Sequence, residues 1–209
     1  MKRQLAAVLV LGVMAAITLG AQAAPAGWKQ RIDASADASD PDPAGDVKFT
    51  SQGGGFHSVN PKAAIFWNPA NTVTGTYTLK GTFAQNARSS HPNFLGLIFG
   101  GKDLSGPGQS YTYFLVAPQG GMFLIKQRTG AQTKDIVRMP SDSVAKLGAD
   151  NKAVNTLEVR VGPDKIDYAV NGSVVHSTPK TGTVTEGIYG MRVNHAMPDV
   201  LMTGLSVSK

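Results

Sequence analysis

Cysteine is absent from the 209-residue chain. That excludes disulfides, cysteine-ligated zinc, thiol catalysis and a lipid anchor on an N-terminal cysteine. A chain without staples must be held by its core alone, which this length permits. Glutamate is scarce: Glu158 and Glu186 stand alone and far apart. No amphipathic helical stretch of useful length occurs, and Asp142–Gly148 offers at most one helical turn. No Gly-x-Ser-x-Gly elbow is present. The histidines His57, His91, His176 and His195 form no His-x-His or His-x-x-x-His pair, so local spacing gives no metal site. No Lys/Arg cluster with interleaved aromatics supports a nucleic-acid groove.

What is present begins with a targeting pattern. Lys2 and Arg3 precede the apolar run Leu5–Leu19, and Ala21-Gln22-Ala23 reads as a small-residue cleavage site. The run is too short and wrongly flanked to span a bilayer, and no later stretch is long enough to do so. Cleavage after Ala23 is expected, in the style of a bacterial periplasmic or secreted protein. Loss of Lys2 and Arg3 reduces the formal charge of +6 to a mild excess, which suits a solvated surface rather than a nucleic-acid partner.

The expected organisation is a signal peptide at 1–23, an N-terminal arm at 24–46 and one β-sandwich domain at 47–209. The arm is rich in Ala, Asp, Pro and Ser. Its spaced Asp33, Asp37, Asp40, Asp42 and Asp46 offer hard oxygen ligands for calcium, but lack the glycine and terminal glutamate of an EF-hand loop. A solvated arm is the expectation, with no resident cofactor.

From Val47 onward the pattern is all-β. Candidate strands are Val47–Thr50, Ala64–Trp67, Gly75–Phe83, Phe94–Gly100, Tyr111–Val116, Met122–Arg128, Thr156–Val161, Ile166–Val170, Ser173–Ser177, Ile188–Asn194 and Val200–Val207. Turn-rich separators such as Gly53-Gly54-Gly55 and Gly162-Pro163-Asp164 divide them. Asn171-Gly172 predicts a two-residue type I′ hairpin, because both positions need positive φ. Strand number and the lack of βα alternation predict a two-sheet antiparallel sandwich, a jelly roll in form.

Period-2 parity predicts the faces. Tyr77, Leu79 and Phe83 share an inward face, as do Leu157, Val159 and Val161. Three strands differ. Tyr111 and Tyr113, Lys126 and Arg128, and Arg192 and Asn194 each share one face of a strand. Aromatic rings beside cationic and amide groups make a polar groove, in which rings stack on sugars while Arg, Lys and Asn donate to hydroxyls or carboxylates.

The segments Phe94–Asp103, Gln109–Val116, Phe123–Lys126, Asn155–Val159, Val170–Gly172 and Gly190–His195 fall in an order that resembles the concanavalin A-like lectin/glucanase superfamily, in its laminin-G-like branch. They are especially similar to bacterial exported keto-disaccharide hydrolase-type domains. The resemblance spans about Gly45 to Lys209 and implies a jelly roll that binds saccharide on its concave sheet or rim loops. It implies a ligand between Gly100-Gly101-Lys102-Asp103 and Arg192-Val193-Asn194-His195, over Tyr113 and Lys126. The superfamily's glycosidases carry Glu-x-Asp-x-x-Glu on one strand, and neither glutamate here stands in such a pattern.

The expected ligand-binding set is therefore Lys102, Asp103, Tyr111, Tyr113, Lys126, Arg128, Arg192, Asn194 and His195, with Asp103 and His195 as the catalytic candidates. The expected function is non-catalytic binding of a saccharide or glycoconjugate. The alternatives are a glycoside or keto-disaccharide hydrolase or lyase, and a structural or partner-binding envelope protein. Nothing in the sequence sets an oligomeric state.

Overall fold

A computed structural model describes residues 24–35 and 37–209, so the expected signal peptide lies outside the described residues. Fourteen strands are formed among the described residues: β1 (Lys29–Asp33), β2 (Lys48–Gln52), β3 (Gly55–Asn60), β4 (Ala63–Val73), β5 (Tyr77–Gln85), β6 (Leu95–Lys102), β7 (Ser110–Ala117), β8 (Met122–Thr129), β9 (Gln132–Pro140), β10 (Ala153–Val161), β11 (Lys165–Val170), β12 (Ser173–Pro179), β13 (Gly187–Val193) and β14 (Met197–Ser208). No helix occurs among the described residues. Asp142–Gly148, expected to hold a helical turn, carries only a short bend closed by Val144 N–H on Ser141 O at 3.1 Å.

The strands build two seven-stranded sheets, ordered β1-β4-β13-β6-β7-β8-β9 and β12-β11-β10-β5-β14-β3-β2. Every pairing is antiparallel. This is the jelly-roll sandwich that the sequence predicts. β13 sits between β4 and β6 in the first sheet, and β14 between β5 and β3 in the second.

Alternation fills the space between the sheets. Leu79, Phe83, Leu157 and Val159 of the second sheet meet Phe66, Leu95, Leu97, Phe114 and Phe123 of the first, all buried. Phe49 stacks on Phe66 with centroids 4.2 Å apart. The predicted hairpin forms as expected. Asn171 has φ +50 and Gly172 φ +86, and Val170 pairs with Ser173.

Three strands lack a sequence signal, each for a physical reason. β1 lies in the stretch expected to be a free arm. It reads Lys-Gln-Arg-Ile-Asp, too polar to announce itself, yet it pairs along β4 from Lys29–Trp67 to Asp33–Ala63. β3 buries Ser58 and Asn60 rather than apolar residues. β9 is a charged edge strand, which protects an open sheet edge from further pairing.

All five tyrosines are shifted the same way. Burial pushes each phenol up, that of Tyr111 and of Tyr168 to about 12. The folded state therefore favours protonated tyrosine. That contribution to stability is full below the ordinary value near 10 and is lost as pH rises through the folded values. At pH 10.5 the native protein should show less tyrosinate absorbance than the unfolded chain, and denaturant should release the difference. Normal titration of native tyrosines would contradict this packing.

Candidate functional site

The first sheet has a second, outward face with its own cluster: Ile65, Trp67, Ile98, Tyr111, Tyr113, Leu115 and Leu124 are buried there. Cross-strand pairing sets which polar groups share it. Asp33 lies opposite Ala63, Arg192 opposite Ile65, Tyr113 opposite Lys126, and Tyr111 opposite Arg128. The sequence parity for Tyr111/Tyr113, Lys126/Arg128 and Arg192/Asn194 thus describes one common surface.

At its centre is Asp33. Its Oδ2 accepts from Arg192 Nη1 at 2.7 Å, from Arg128 Nη1 at 3.3 Å and from Tyr111 OH at 3.4 Å. Arg192 Nη1 also donates to Tyr111 OH at 3.0 Å, and Nε to Asn194 Oδ1 at 3.0 Å. The guanidinium lies over the Tyr113 ring, 5.2 Å from its centroid. Burial by itself would lower the Arg192 pKa. Tyr111, Asp33 and Tyr113 outweigh it and hold the guanidinium above its ordinary value.

These contacts reveal the shape of the sheet. β1 and β8 are five strand positions apart. In a flat sheet that is about 24 Å, further than two side chains can bridge. The Asp33–Arg128 contact therefore requires the sheet to roll with this face concave. Gln109, fully buried, completes the floor when its amide oxygen is turned to Arg128 Nε (3.1 Å) and to Arg31 Nε and Nη2 (3.1 and 3.0 Å). Arg31 Nη1 ties down the neighbouring loop at Gly106 O, 2.6 Å away.

The expected site residues divide into groups. Tyr111, Tyr113, Arg128, Arg192 and Asn194 are brought together. Tyr111 and Tyr113 are 3% and 4% exposed, so they support the cationic groups rather than offer a stacking platform. Lys126 is on the same face, paired to Asp135 Oδ1 at 2.6 Å. Lys102 is exposed and lines a separate groove of about 490 Å³ with Lys180 and Glu186. Asp103, exposed and at φ +47, folds back on its own loop, with Oδ2 accepting from Gly108 N–H at 3.1 Å. The glycines before it serve the chain itself: Gly100 has φ +64, and a Cβ there would run into the Val184 carbonyl. His195 leaves the concave face for the rim, where it meets His91, Asp40 and Asp42.

Sequence reasoning missed Asp33 as the organising group, together with Arg31 and Gln109. Parity along Lys29–Asp33 was the available signal, but nothing in the sequence marks that segment as a strand. The five arm aspartates go to separate tasks. Asp33 binds arginines, Asp37 Oδ1 accepts from Ser39 Oγ at 2.6 Å, Asp40 and Asp42 face His195, and Asp46 is exposed.

The glutamates stand elsewhere. Glu158, on the second sheet, accepts from Arg160 Nη2 at 2.6 Å and pairs with Lys80 at 3.3 Å. The Arg160 hydrogen bond leads the contacts that hold its carboxyl below the usual range. Glu186 Oε1 accepts from Gly75 N–H at 3.1 Å.

No family model matches this chain, and no curated protein sequence matches it. Solved structures do. Carbohydrate-binding module CBM66 from Bacillus subtilis superposes with a TM-score of 0.61 at 9% identity, covering 88% of this chain and 96% of that one. A glycoside hydrolase family 16 endo-glucanase from Bacteroides ovatus gives 0.58 at 7% identity, covering 87% and 94%. A Bacillus subtilis protein of unknown function with a galectin-like fold gives 0.55 at 12% identity, covering 86% and 88%. The chain shares their two-sheet antiparallel β-sandwich fold.

Removing one partner of a buried ion pair strands the other charge. Asp33→Asn should lower stability by about 3 kcal/mol in urea denaturation, and adding Arg192→Met should recover part of that loss. A change in the single variant too small to measure would mean that Arg192 does not depend on this carboxylate.

Proposed function

We propose that the chain is an exported domain that binds saccharide on the concave face of its first sheet without cleaving it. The observation that carries this reading is the charge of that face. Lys29, Arg31, Lys126, Arg128, Arg138 and Arg192 are set there by strand pairing, against only Asp33 and Asp135 among the described residues. Asp33 is consumed by arginines, which leaves a net positive groove of rigid donors.

Such a surface favours a saccharide bearing carboxylate or sulfate groups. Guanidinium forks bind these bidentately, and a concave, partly dehydrated face strengthens each contact. The fold shared with a carbohydrate-binding module supports a sugar ligand, and the Lys2–Ala23 segment supports export. A keto-disaccharide hydrolase or lyase reading needs a free acid or base over the ligand. Asp103 is committed to its own loop and His195 is at the rim, so binding without turnover is favoured.

Calorimetric titration against neutral and uronate-containing oligosaccharides tests this. Binding should be confined to the acidic sugars and weaken with salt. Lys126→Ala and Arg138→Ala should each cost about 10-fold in affinity or more, the weight of one charge-assisted hydrogen bond. No product should form on prolonged incubation. Failure to bind any acidic sugar, or affinity indifferent to both variants, would overturn the reading.

A further inference from the structure

At the rim, the chain brings two histidines and a carboxylate together from three distant segments. His91 Nε2 and His195 Nε2 face each other at 3.1 Å. Asp40 places Oδ1 3.5 Å from the first and Oδ2 3.2 Å from the second. All the ligating atoms lie within 4.8 Å of one another. The Nε2–Nε2 separation and the distance from each ring to its nearer Asp40 oxygen are close to the edge of a tetrahedron. Bonds of 2.0–2.1 Å to a central ion put neighbouring ligand atoms about 3.3 Å apart.

The surroundings are built in the same sense. Metal-bound imidazoles are oriented by a partner on the other ring nitrogen. His91 Nδ1 has Ser90 Oγ at 3.1 Å. His195 Nδ1 faces Asp42 Oδ1 at 3.7 Å. That Asp42 oxygen is buried and makes no hydrogen bond, although Oδ2 accepts from Ser35 N–H at 2.8 Å. A buried carboxylate oxygen without a hydrogen bond, facing an imidazole nitrogen, is an independent sign that the histidine is oriented by a carboxylate. Asn93 Nδ2 donates to His195 O at 2.7 Å and fixes the backbone of the site.

Two imidazole Nε2 atoms at this distance share at most one proton between them. A divalent cation between the rings would replace that proton, and the Asn93 Nδ2 contact to His91 Nε2 at 3.1 Å, by taking both lone pairs and the Asp40 charge at once. We infer that Asp40, His91 and His195 form a binding site for a zinc-type divalent transition metal, with Asp42 as the carboxylate behind His195. The imidazole-rich donor set suits zinc rather than calcium, which prefers oxygen alone. The metal would pin the 37–46 segment onto the sandwich, and it leaves a fourth coordination position free of protein. The inference is independent of the saccharide reading, since it uses none of the concave-face residues.

The test is titration of the chelator-stripped protein with zinc chloride by calorimetry, and with cobalt chloride by visible absorption. One zinc per chain is expected, with the d–d bands of tetrahedral cobalt and a rise in Tm of about 5 °C at saturating zinc. His91→Ala and Asp40→Ala should weaken zinc binding about 100-fold or more, because loss even of an outer partner costs 10–100-fold. Asp42→Asn should fall in that lower range. His176→Ala, outside the cluster, should change nothing. His91 and Asp40 are only partly buried, with side-chain accessibilities of 40% and 47%, so their variants should fold even where the less exposed His195→Ala does not. The proposal is overturned if no stoichiometric zinc is taken up, or if uptake survives both His91→Ala and Asp40→Ala.

Discussion

A single carboxylate ties together distant strands of the first sheet. Asp33 belongs to the edge strand β1, yet it reaches the guanidiniums of β13 and β8. That contact exists only while the sheet is rolled, so the ion cluster depends on the curvature and favours it. Inside the roll, away from water, attraction between the charges is strong and so is the penalty for leaving one unpaired. The arrangement stores specificity: one curvature satisfies Asp33, Arg192, Arg128 and Tyr111 together, and any flatter sheet leaves a buried arginine without its partner. The stacked position of Arg192 over Tyr113 adds a second, directional constraint.

β13 links this cluster to the rim. Arg192 points into the concave face, Asn194 braces it from two residues on, and the Asn194 N–H holds Phe94 O at 2.9 Å. His195 follows at once, beyond the strand end, where the chain turns to the other side. Two chemically different regions therefore hang on four consecutive residues. One is a rigid, cation-rich groove. The other is a nitrogen-rich cluster accessible from the edge.

The fold was legible because alternation is a strong signal when one face is apolar. Leu79, Leu157 and their neighbours announce their strands, and Asn171-Gly172 announces its turn. β1, β3 and β9 were not legible, because their burial falls on polar residues or hardly occurs. The site was half legible. Parity on three strands correctly grouped Tyr111, Tyr113, Lys126, Arg128, Arg192 and Asn194 on one surface. It could not show that the tyrosines would be covered by arginine, since that depends on curvature, a property of the whole sheet. It could not reveal His91 beside His195 either. Residues 104 positions apart in the chain meet only through the fold, and a spacing rule sees only neighbours.

The placement of the last two strands governs how the molecule can be made. Until β13 arrives, the first sheet exists as two unconnected pieces, β1-β4 and β6-β7-β8-β9. Until β14 arrives, the second is likewise split into β12-β11-β10-β5 and β3-β2. Each fragment presents an open edge, and open edges recruit foreign strands. Closing both sheets at the end means that contacts of high sequence separation form late, which slows folding and prolongs that exposure. A nascent chain of this design gains little from folding as it emerges. Its interest lies in staying unfolded, or being kept so, until β13 and β14 are free to act as the stitch that joins both halves of both sheets.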